Sequence, residues 1–480
     1  MASTRSTISK DPGLLTKSDF EKSRKKRGVS LVIFAFLLIG LVPAVGLAVD
    51  LAILYIAQTK LSTAVDAAVL AAARGLSRGN DSASQQSNAV TVASNYVAAN
   101  FQTGFLGASG LTSTTTVTTQ SNSRTVATTA SVTMPLTFMR IVGPTSRTVN
   151  ATATATRKDV NVMLVLDRSG SLSTSGSCGS MKAAAIAFIG QFAAARDNVG
   201  LLTFATGYRV DAPLTTSFLS GSPSMSSIIS NITCVGGTNS ATALSQAYAA
   251  LATLNQPSAL NVILFFTDGQ PTHITGQNWI PSTSYCTNKN RYVNGVIGGG
   301  FNTSTWPYTP SGVSGLYDWN SDAQPISSDS KLVSNSGCAY NYSVWNVDDD
   351  VTNIKNTDAW GNAIDNNYTS VSYNGANIAF NSQNLMNIAT NATYAAAKTI
   401  QQAGTSPSGN SLSGVYVFSI GLGNAGFPPN GALLQDVSND PAGPHYDASR
   451  AQGLYIAAPT TADLNPAFQR VASEVLRLAR

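Results

Sequence analysis

Three pieces of this chain carry oxygen donors in a spacing that suits a hard cation. Asp167, Ser169 and Ser171 form a DxSxS loop directly after the apolar run VNVMLVL, residues 160–166. Thr238 follows Gly236-Gly237, and Asp268 precedes Gly269 at the end of ALNVILFFTDG, residues 259–269. The set offers two carboxylates and three hydroxyls, all oxygen, which suits Mg²⁺, Mn²⁺ or Ca²⁺ better than zinc. Mg²⁺ is the expected ion, with Mn²⁺ and Ca²⁺ as alternatives. Two carboxylates also leave coordination positions for water or for an acidic group brought by a partner.

The elements around these residues alternate between buried strands and helices. VNVMLVL, VGLLTFA (199–205), ALNVILFFTDG and GVYVFSIGLG (414–423) are near-continuous apolar runs of strand length, as expected for strands buried on both faces. MKAAAIAFIGQFAAA (181–195), ALSQAYAALATL (243–254) and PAFQRVASEVLRLA (466–479) read as helices. Alternation of this kind predicts an α/β fold with a doubly wound, mostly parallel sheet, in which ligands bind at the C-terminal strand ends. Asp167 and Asp268 fall at those ends.

Between Gly269 and a helix near Leu385 the sequence has no clear period, far beyond an ordinary loop. This insertion, about residues 273–383, holds Trp279, Trp306, Trp319, Trp345 and Trp360, all five tryptophans of the chain, among Tyr, Asn, Ser and Gly. That mixture suits an adaptable binding surface over the cation, and equally a small core of the insertion's own. Asp348-Asp349-Asp350 lacks EF-hand spacing and reads as a solvated acidic turn.

Catalysis has few candidates. The two histidines are His273 and His445, and neither lies in an HExxH pattern; no P-loop occurs. His273, five residues after Asp268, is the one general base in reach, and it reads as a surface histidine. A metal hydrolase would need a further carboxylate or base here, so the residues describe a binding protein rather than an enzyme.

The N-terminal part is of another kind. Charged residues make up 11% of the chain, less than half the usual share. The net charge of +5 includes a cluster, Lys22, Arg24, Lys25, Lys26 and Arg27, in front of an uncharged run from Val29 to Val49. A nucleic-acid binder would spread such charge over a folded face. The apolar run has the length of a bilayer span, and no A-x-A site follows closely. The positive-inside rule places the N-terminus in the cytoplasm and the chain after Asp50 outside. The helical pattern continues to Leu76 as a stem, with Pro43 a position for a kink. After a polar start, AVTVASNYVAANF (89–101) reads as a helix. LTSTTTVTTQ, SRTVATTASVTMPL and SRTVNATATATR, between 111 and 157, read as Thr-rich strands, or else as a flexible stalk. LTFMRIVG (136–143) reads as a short amphipathic turn between them.

Residues 25–76 resemble the N-terminal segment of TadG-like proteins of the Flp/Tad (tight adherence) pilus system. The likeness lies in the basic-Gly start, the GLAVD exit and the stem TKLSTAVDAAVLAAA. Prepilins cut by prepilin peptidase carry Glu five residues after the cleavage glycine. Ile33 stands there after Gly28, so no cleavage and a retained anchor are expected. The resemblance implies a bacterial inner-membrane protein with one pass, its C-terminal part periplasmic or reaching the surface.

The pattern DxSxS, then Thr, then Asp-Gly strongly resembles the von Willebrand factor A domain and its metal-ion-dependent adhesion site (MIDAS), over about residues 158–480. By that resemblance Ser169 and Ser171 would ligate the ion directly. Thr238 would switch between direct and water-mediated contact, and Asp167 and Asp268 would act through water. The four cysteines allow three pairings, and none forms a CxxC. The domain resemblance favours Cys178 with Cys234, on the rim of the site, and Cys286 with Cys338, clamping the insertion.

The expected organisation is a basic cytoplasmic tail (1–28), a transmembrane helix and stem (29–78), a small helical and β-rich module (79–157) and the A domain (158–480). Three functional readings stay open. One is a Tad pilus assembly or adhesion component that grips a protein partner through the cation. Another is a cell-surface adhesin or matrix binder unrelated to pili. The last is a metal-dependent enzyme.

Overall fold

The computed structural model describes residues 17–79, 81–141, 143–280, 291–302, 309–317, 353–374, 377–379, 381–423, 426 and 428–479. Two compact units result: residues 1–71, 92–116 and 127–154 in one, and 72–91, 117–126 and 155–480 in the other.

A single helix, α1 (Lys17–Gly75), runs through Pro43, and α2 (Ser82–Asn100) follows it. Among the described residues α1 is the one helix long and apolar enough to cross a membrane. Val32, Ile33, Phe34, Phe36 and Leu37 are exposed, whereas Ala57, Leu61, Ala64, Val65 and Ala68 are fully buried. The three- and four-residue spacing of the buried set is that of one helix face. The Thr-rich runs form a three-stranded sheet in the order β1 (Ser109–Thr119), β2 (Ser123–Pro135), β3 (Ser146–Lys158). β2 alternates strictly, burying Val126, Thr128, Ala130, Val132 and Met134, which is the period-two pattern of a half-buried strand.

The larger unit is built on β4 (Val160–Asp167), which is buried throughout. After it come α3 (Gly170–Thr174), α4 (Cys178–Ile189), β5 (Asn198–Phe204), β6 (Tyr208–Thr215), α5 (Met225–Ser230), α6 (Ser240–Leu254) and β7 (Leu260–Thr267). An insertion carries β8 (His273–Ile280), β9 (Arg291–Asn302), β10 (Thr309–Tyr317), β11 (Asn353–Asp358) and the two-residue strands β12 (Tyr373–Asn374) and β13 (Asn377–Ile378). The chain closes with α7 (Ser382–Gln401), β14 (Val415–Leu422), α8 (Gly431–Val437), β15 (Leu454–Ala458) and α9 (Leu464–Leu478).

The main sheet has the order β15-β14-β7-β4-β5-β6. Its strands pair in parallel except β6, which runs antiparallel at the edge. Side chains alternate between two cores. Val160, Val162, Leu164 and Leu166 of β4 face α4 and α9, where Phe188 and Phe468 meet edge to face at 5.9 Å. Met163 and Val165 face α6 and α7, with Leu244, Tyr248 and Ile400. Helices on both faces of one mostly parallel sheet form the doubly wound architecture. Three asparagines tie the strand starts together: Asn198 Nδ2 donates to Asn161 Oδ1 (2.8 Å) and Asn161 Nδ2 to Asn261 Oδ1 (2.9 Å).

The insertion contains an antiparallel sheet of order β10-β9-β8-β11, where the sequence showed no period. Its strands, such as HITGQNWI and RYVNGVIGGGFN, mix Gly and Asn with apolar residues and never alternate cleanly. The sheet nonetheless buries Ile274, Val296, Ile297 and Ile354.

Candidate metal-binding site

The cation candidates lie where β4 and β7 end. Asp167 closes β4 and is fully buried, as is Asp268 just beyond β7; Ser169 is nearly so. Ser171 Oγ donates to Asp268 Oδ1 at 2.8 Å, and Ser169 Oγ reaches the same oxygen at 3.3 Å. The two hydroxyls are 2.9 Å apart. Asp167 is held from both sides: its Oδ1 accepts from the Ser169 N–H (2.7 Å) and its Oδ2 from the Thr267 hydroxyl (2.6 Å). The fold therefore brings four of the five candidates together directly.

Thr238 enters through the backbone. The Gly170 N–H donates to the Gly236 carbonyl (2.9 Å) and the Val235 N–H to the Arg168 carbonyl (2.7 Å), stitching the DxSxS loop to the Thr238 loop. The Thr238 carbonyl accepts from Thr272 and His273, at 2.9 and 3.1 Å, and its N–H donates to Thr272 Oγ1 at 3.0 Å. The start of the insertion thus fixes the loop that carries Thr238. On its other side Thr206 Oγ1 accepts from the Gly237 N–H at 3.0 Å. Neither Thr206, Thr267 nor Thr272 stands out in the sequence. The double glycine at 236–237 is the one signal that pointed here.

Two buried carboxylates side by side repel each other. Burial first, and then the neighbouring Asp268, push the Asp167 carboxyl well above the ordinary carboxylate range. A divalent cation placed among these oxygens would offset that repulsion. The donor set fits a hard ion through hydroxyl and carboxylate oxygen. It lacks the Cys sulfur and His nitrogen ligands that structural zinc sites favour.

Cys178 and Cys234 form a disulfide with Cα atoms 6.2 Å apart, closing a span of 56 residues around the site. Cys178 begins α4, after the DxSxS loop, and Cys234 adjoins the Val235 stitch. Cross-linking a loop of that length contributes about 4 kcal/mol by restricting the unfolded chain. A Cys178→Ser/Cys234→Ser double variant is expected to unfold at a clearly lower urea midpoint. An unchanged midpoint would mean the stitches alone hold the rim. The expected partners Cys286 and Cys338 lie outside the described residues.

His273 corrects the surface reading: it is buried, only 7% exposed. Its ring lies against Gly237 and Gly298, where an added Cβ would come within 2.0 and 2.3 Å of ring atoms. Nδ1 is 2.7 Å from Thr272 Oγ1. A ring enclosed in this way packs the insertion against the Thr238 loop rather than meeting solvent. Burial lowers its pKa from 6.5 to about 4. The unfolded chain therefore binds the proton more readily, and the stability tied to neutral His273 is present above pH 6.5 and lost as the pH falls toward 4. Unfolding midpoints of the protein and of His273→Gln, compared from pH 7.5 to 4, should converge on acidification. Parallel curves would exclude His273 as the source.

Trp360 donates its indole N–H to Thr242 Oγ1 at 3.2 Å and meets Tyr208 edge to face at 6.2 Å, so it serves packing. The side chain of Trp279, together with Trp306, Trp319, Trp345 and Asp348–Asp350, lies outside the described residues. His445 pairs with Asp436 at 2.9 Å beside Tyr368 and Tyr394, among residues that take no part in the cation loops. Residues Gly75-Leu76-Ser77-Arg78-Gly79 spell GxSxG, but they follow a helix, and the nucleophile elbow requires a strand before it.

The sheet order and the loops at its strand ends define a von Willebrand factor type A domain, and residues 162–270 match that family. Residues 28–75 match the Flp pilus-assembly TadE/G-like family. The chain thus joins a TadE/G-like segment to a von Willebrand factor A head, the arrangement of a TadG-like protein. With its apolar helix, that segment points to membrane anchoring.

Among solved structures it is similar to the pilus adhesin SpaC from Lactobacillus rhamnosus GG, at 13% identity and a TM-score of 0.35, over 77% of this chain and 35% of that one. It is also similar to the von Willebrand domain of the type V pili tip protein Mfa5 from Porphyromonas gingivalis, at 14% identity and 0.36, over 68% and 98%. A third similarity is to proximal thread matrix protein 1 from the mussel byssus with a zinc-occupied MIDAS motif, at 10% and 0.31, over 65% and 47%. The chain therefore spans about a third of SpaC and about half of the byssus protein. No curated protein matches the chain.

Proposed function

We propose that this is a membrane-anchored component of Tad/Flp pilus assembly or adhesion that binds a protein partner through a divalent cation. The observation that carries the reading is the convergence of Ser169 Oγ, Ser171 Oγ and Asp268 Oδ1 within 2.8 to 3.3 Å of one another, at the strand ends of an A domain. Ser169 and Ser171 would hold the ion, Thr238 would approach from the stitched loop, and Asp167 and Asp268 would supply the negative charge. When bound, Mg²⁺ would present open coordination positions to an acidic group of the partner. The rest falls to the protein: Thr267 and the Ser169 N–H orient Asp167, and the disulfide and backbone stitches limit loop motion.

The proposed topology is a single pass through the bacterial inner membrane, with the N-terminus cytoplasmic and the A domain periplasmic. We read a binder rather than an enzyme. The candidate base His273 is enclosed between Gly237 and Gly298 and is neutral at physiological pH. The test is recovery of partners by the detergent-solubilised full chain, with Mg²⁺ and with EDTA. Recovery of a defined protein set in Mg²⁺ alone, lost in Asp167→Ala, is the expected outcome. Equal recovery in both buffers would remove the cation from the mechanism.

A further inference from the structure

Asp50, in the GLAVD exit of α1, is a carboxylate only 1% exposed. It accepts three successive backbone N–H bonds, from Thr137 at 3.0 Å, Phe138 at 2.9 Å and Met139 at 2.7 Å. A carboxylate in such a cradle fixes the loop that offers the donors. One helical turn earlier, Gly46 receives Phe138 itself: a Cβ added at Gly46 would lie 2.6 Å from Phe138 Cβ. The loop after β2 is therefore clamped across the helix between Gly46 and Asp50, and Gly46 belongs to the uncharged run Val29–Val49. At about 1.5 Å per residue, Gly46 lies roughly 5 Å inside the end of that run.

What the loop then presents is amphipathic, two large apolar side chains beside the exposed Arg140, whose cation suits the headgroup level. Phe138 remains 39% exposed and Ile141 is 83% exposed. The loop before β1 leans on the same place: a Cβ at Gly107 would meet Pro135 Cγ at 2.9 Å, and the adjacent Leu106 is 45% exposed. Single exposed apolar residues are common on any surface. Phe138 and Ile141 lie on a loop pinned where the membrane run ends, by three bonds to Asp50 and by the seat of Phe138 at Gly46, and Leu106 lies on the neighbouring loop that meets Pro135 through Gly107. Large apolar side chains at such a depth favour the boundary between headgroups and acyl chains.

We propose that the loop Leu136–Ile141, aided by Leu106, is a second membrane contact that seats the smaller unit on the bilayer surface beside its own anchor. The occupant is the lipid interface, because the clamped helix segment continues directly into the span. The proposal rests on the reading of α1 as a membrane helix. Seating of this kind would fix the direction in which the stem leaves the membrane.

The test uses the full chain in phosphatidylcholine nanodiscs. An environment-sensitive fluorescent amino acid is placed in turn at Phe36, Ile141 and the exposed Ser411, with quencher groups shallow or deep on the lipid chains. Phe36 should respond to the deep quencher and Ser411 to neither. Ile141 should respond to the shallow quencher, at a depth of about 5–10 Å below the headgroups. If Ile141 behaves like Ser411 while Phe36 is quenched, the loop stands in water and the proposal fails with the anchor intact. If Phe36 is also unquenched, the anchor reading fails and the proposal with it.

Discussion

Asp268→Ala is expected to lower Mg²⁺ affinity by at least about 10–100-fold, the range seen when oriented carboxylates around a metal are removed. Asp268 Oδ1 is the oxygen on which both serine hydroxyls converge, so its loss removes charge and organisation together. The same change should cost the metal-free protein little. Two hydroxyls lose their acceptor, at about 1 kcal/mol each, while Asp167 is relieved of a buried like charge. The two effects separate in one thermal melt series. At a Mg²⁺ concentration of 100 times the unaltered protein's Kd, that protein gains about 2.7 kcal/mol, and the variant gains only about 1.4 kcal/mol for a tenfold loss of affinity or about 0.4 kcal/mol for a hundredfold loss. A variant that melts early with or without Mg²⁺ would show that Asp268 is needed for the fold instead.

Asp197→Ala should cost as much stability as loss of the Cys178–Cys234 disulfide. Asp197 is fully buried and accepts four hydrogen bonds: from Arg157 Nη1 and Nη2 at 3.1 and 2.6 Å, from the Val160 N–H at 3.0 Å and from the Ala193 N–H at 2.7 Å. It therefore ties the start of β4 to the turn after α4. Arg157 is itself buried, and without Asp197 its nearest carboxylate oxygen is Asp159 Oδ1 at 3.8 Å. Breaking a buried pair while keeping one charge costs about 3–5 kcal/mol. Urea unfolding followed by far-UV dichroism measures it. A loss below about 1 kcal/mol would place this pair with ordinary surface bridges.

The sequence made the frame legible where burial writes itself into composition. VNVMLVL and NVILFFT are apolar at every position or nearly so because both of their faces are covered, and the alternate sides of β4 do enter different cores. The oxygen donors were legible because chemistry confined them to strand ends beside glycines. β6 was not, since YRVDAPLT is an edge strand with charges and a proline, which only an edge tolerates. The four-stranded sheet of the insertion was hidden because its Gly- and Asn-rich strands carry no hydrophobic period.

His273 was misread for a different reason. Its surroundings come from Gly237 and Gly298, distant in sequence and lacking side chains that would announce a contact. Thr267 escaped notice similarly: a threonine ending a β-branched strand looks like strand propensity, whereas its hydroxyl holds Asp167 at 2.6 Å. Asp50 was read as the end of a span, yet it is the acceptor that clamps a loop from across the fold.

The most direct measurement is a crystal structure grown in Mn²⁺ and read by anomalous scattering. The account predicts a single strong peak among the described loops, touching Ser169 Oγ and Ser171 Oγ, with Asp167, Asp268 and Thr238 around it. Crystals of Asp268→Ala grown the same way should lack it. A Mn²⁺ peak bound elsewhere, with these five residues left as a hydrogen-bonded cluster, would contradict the account.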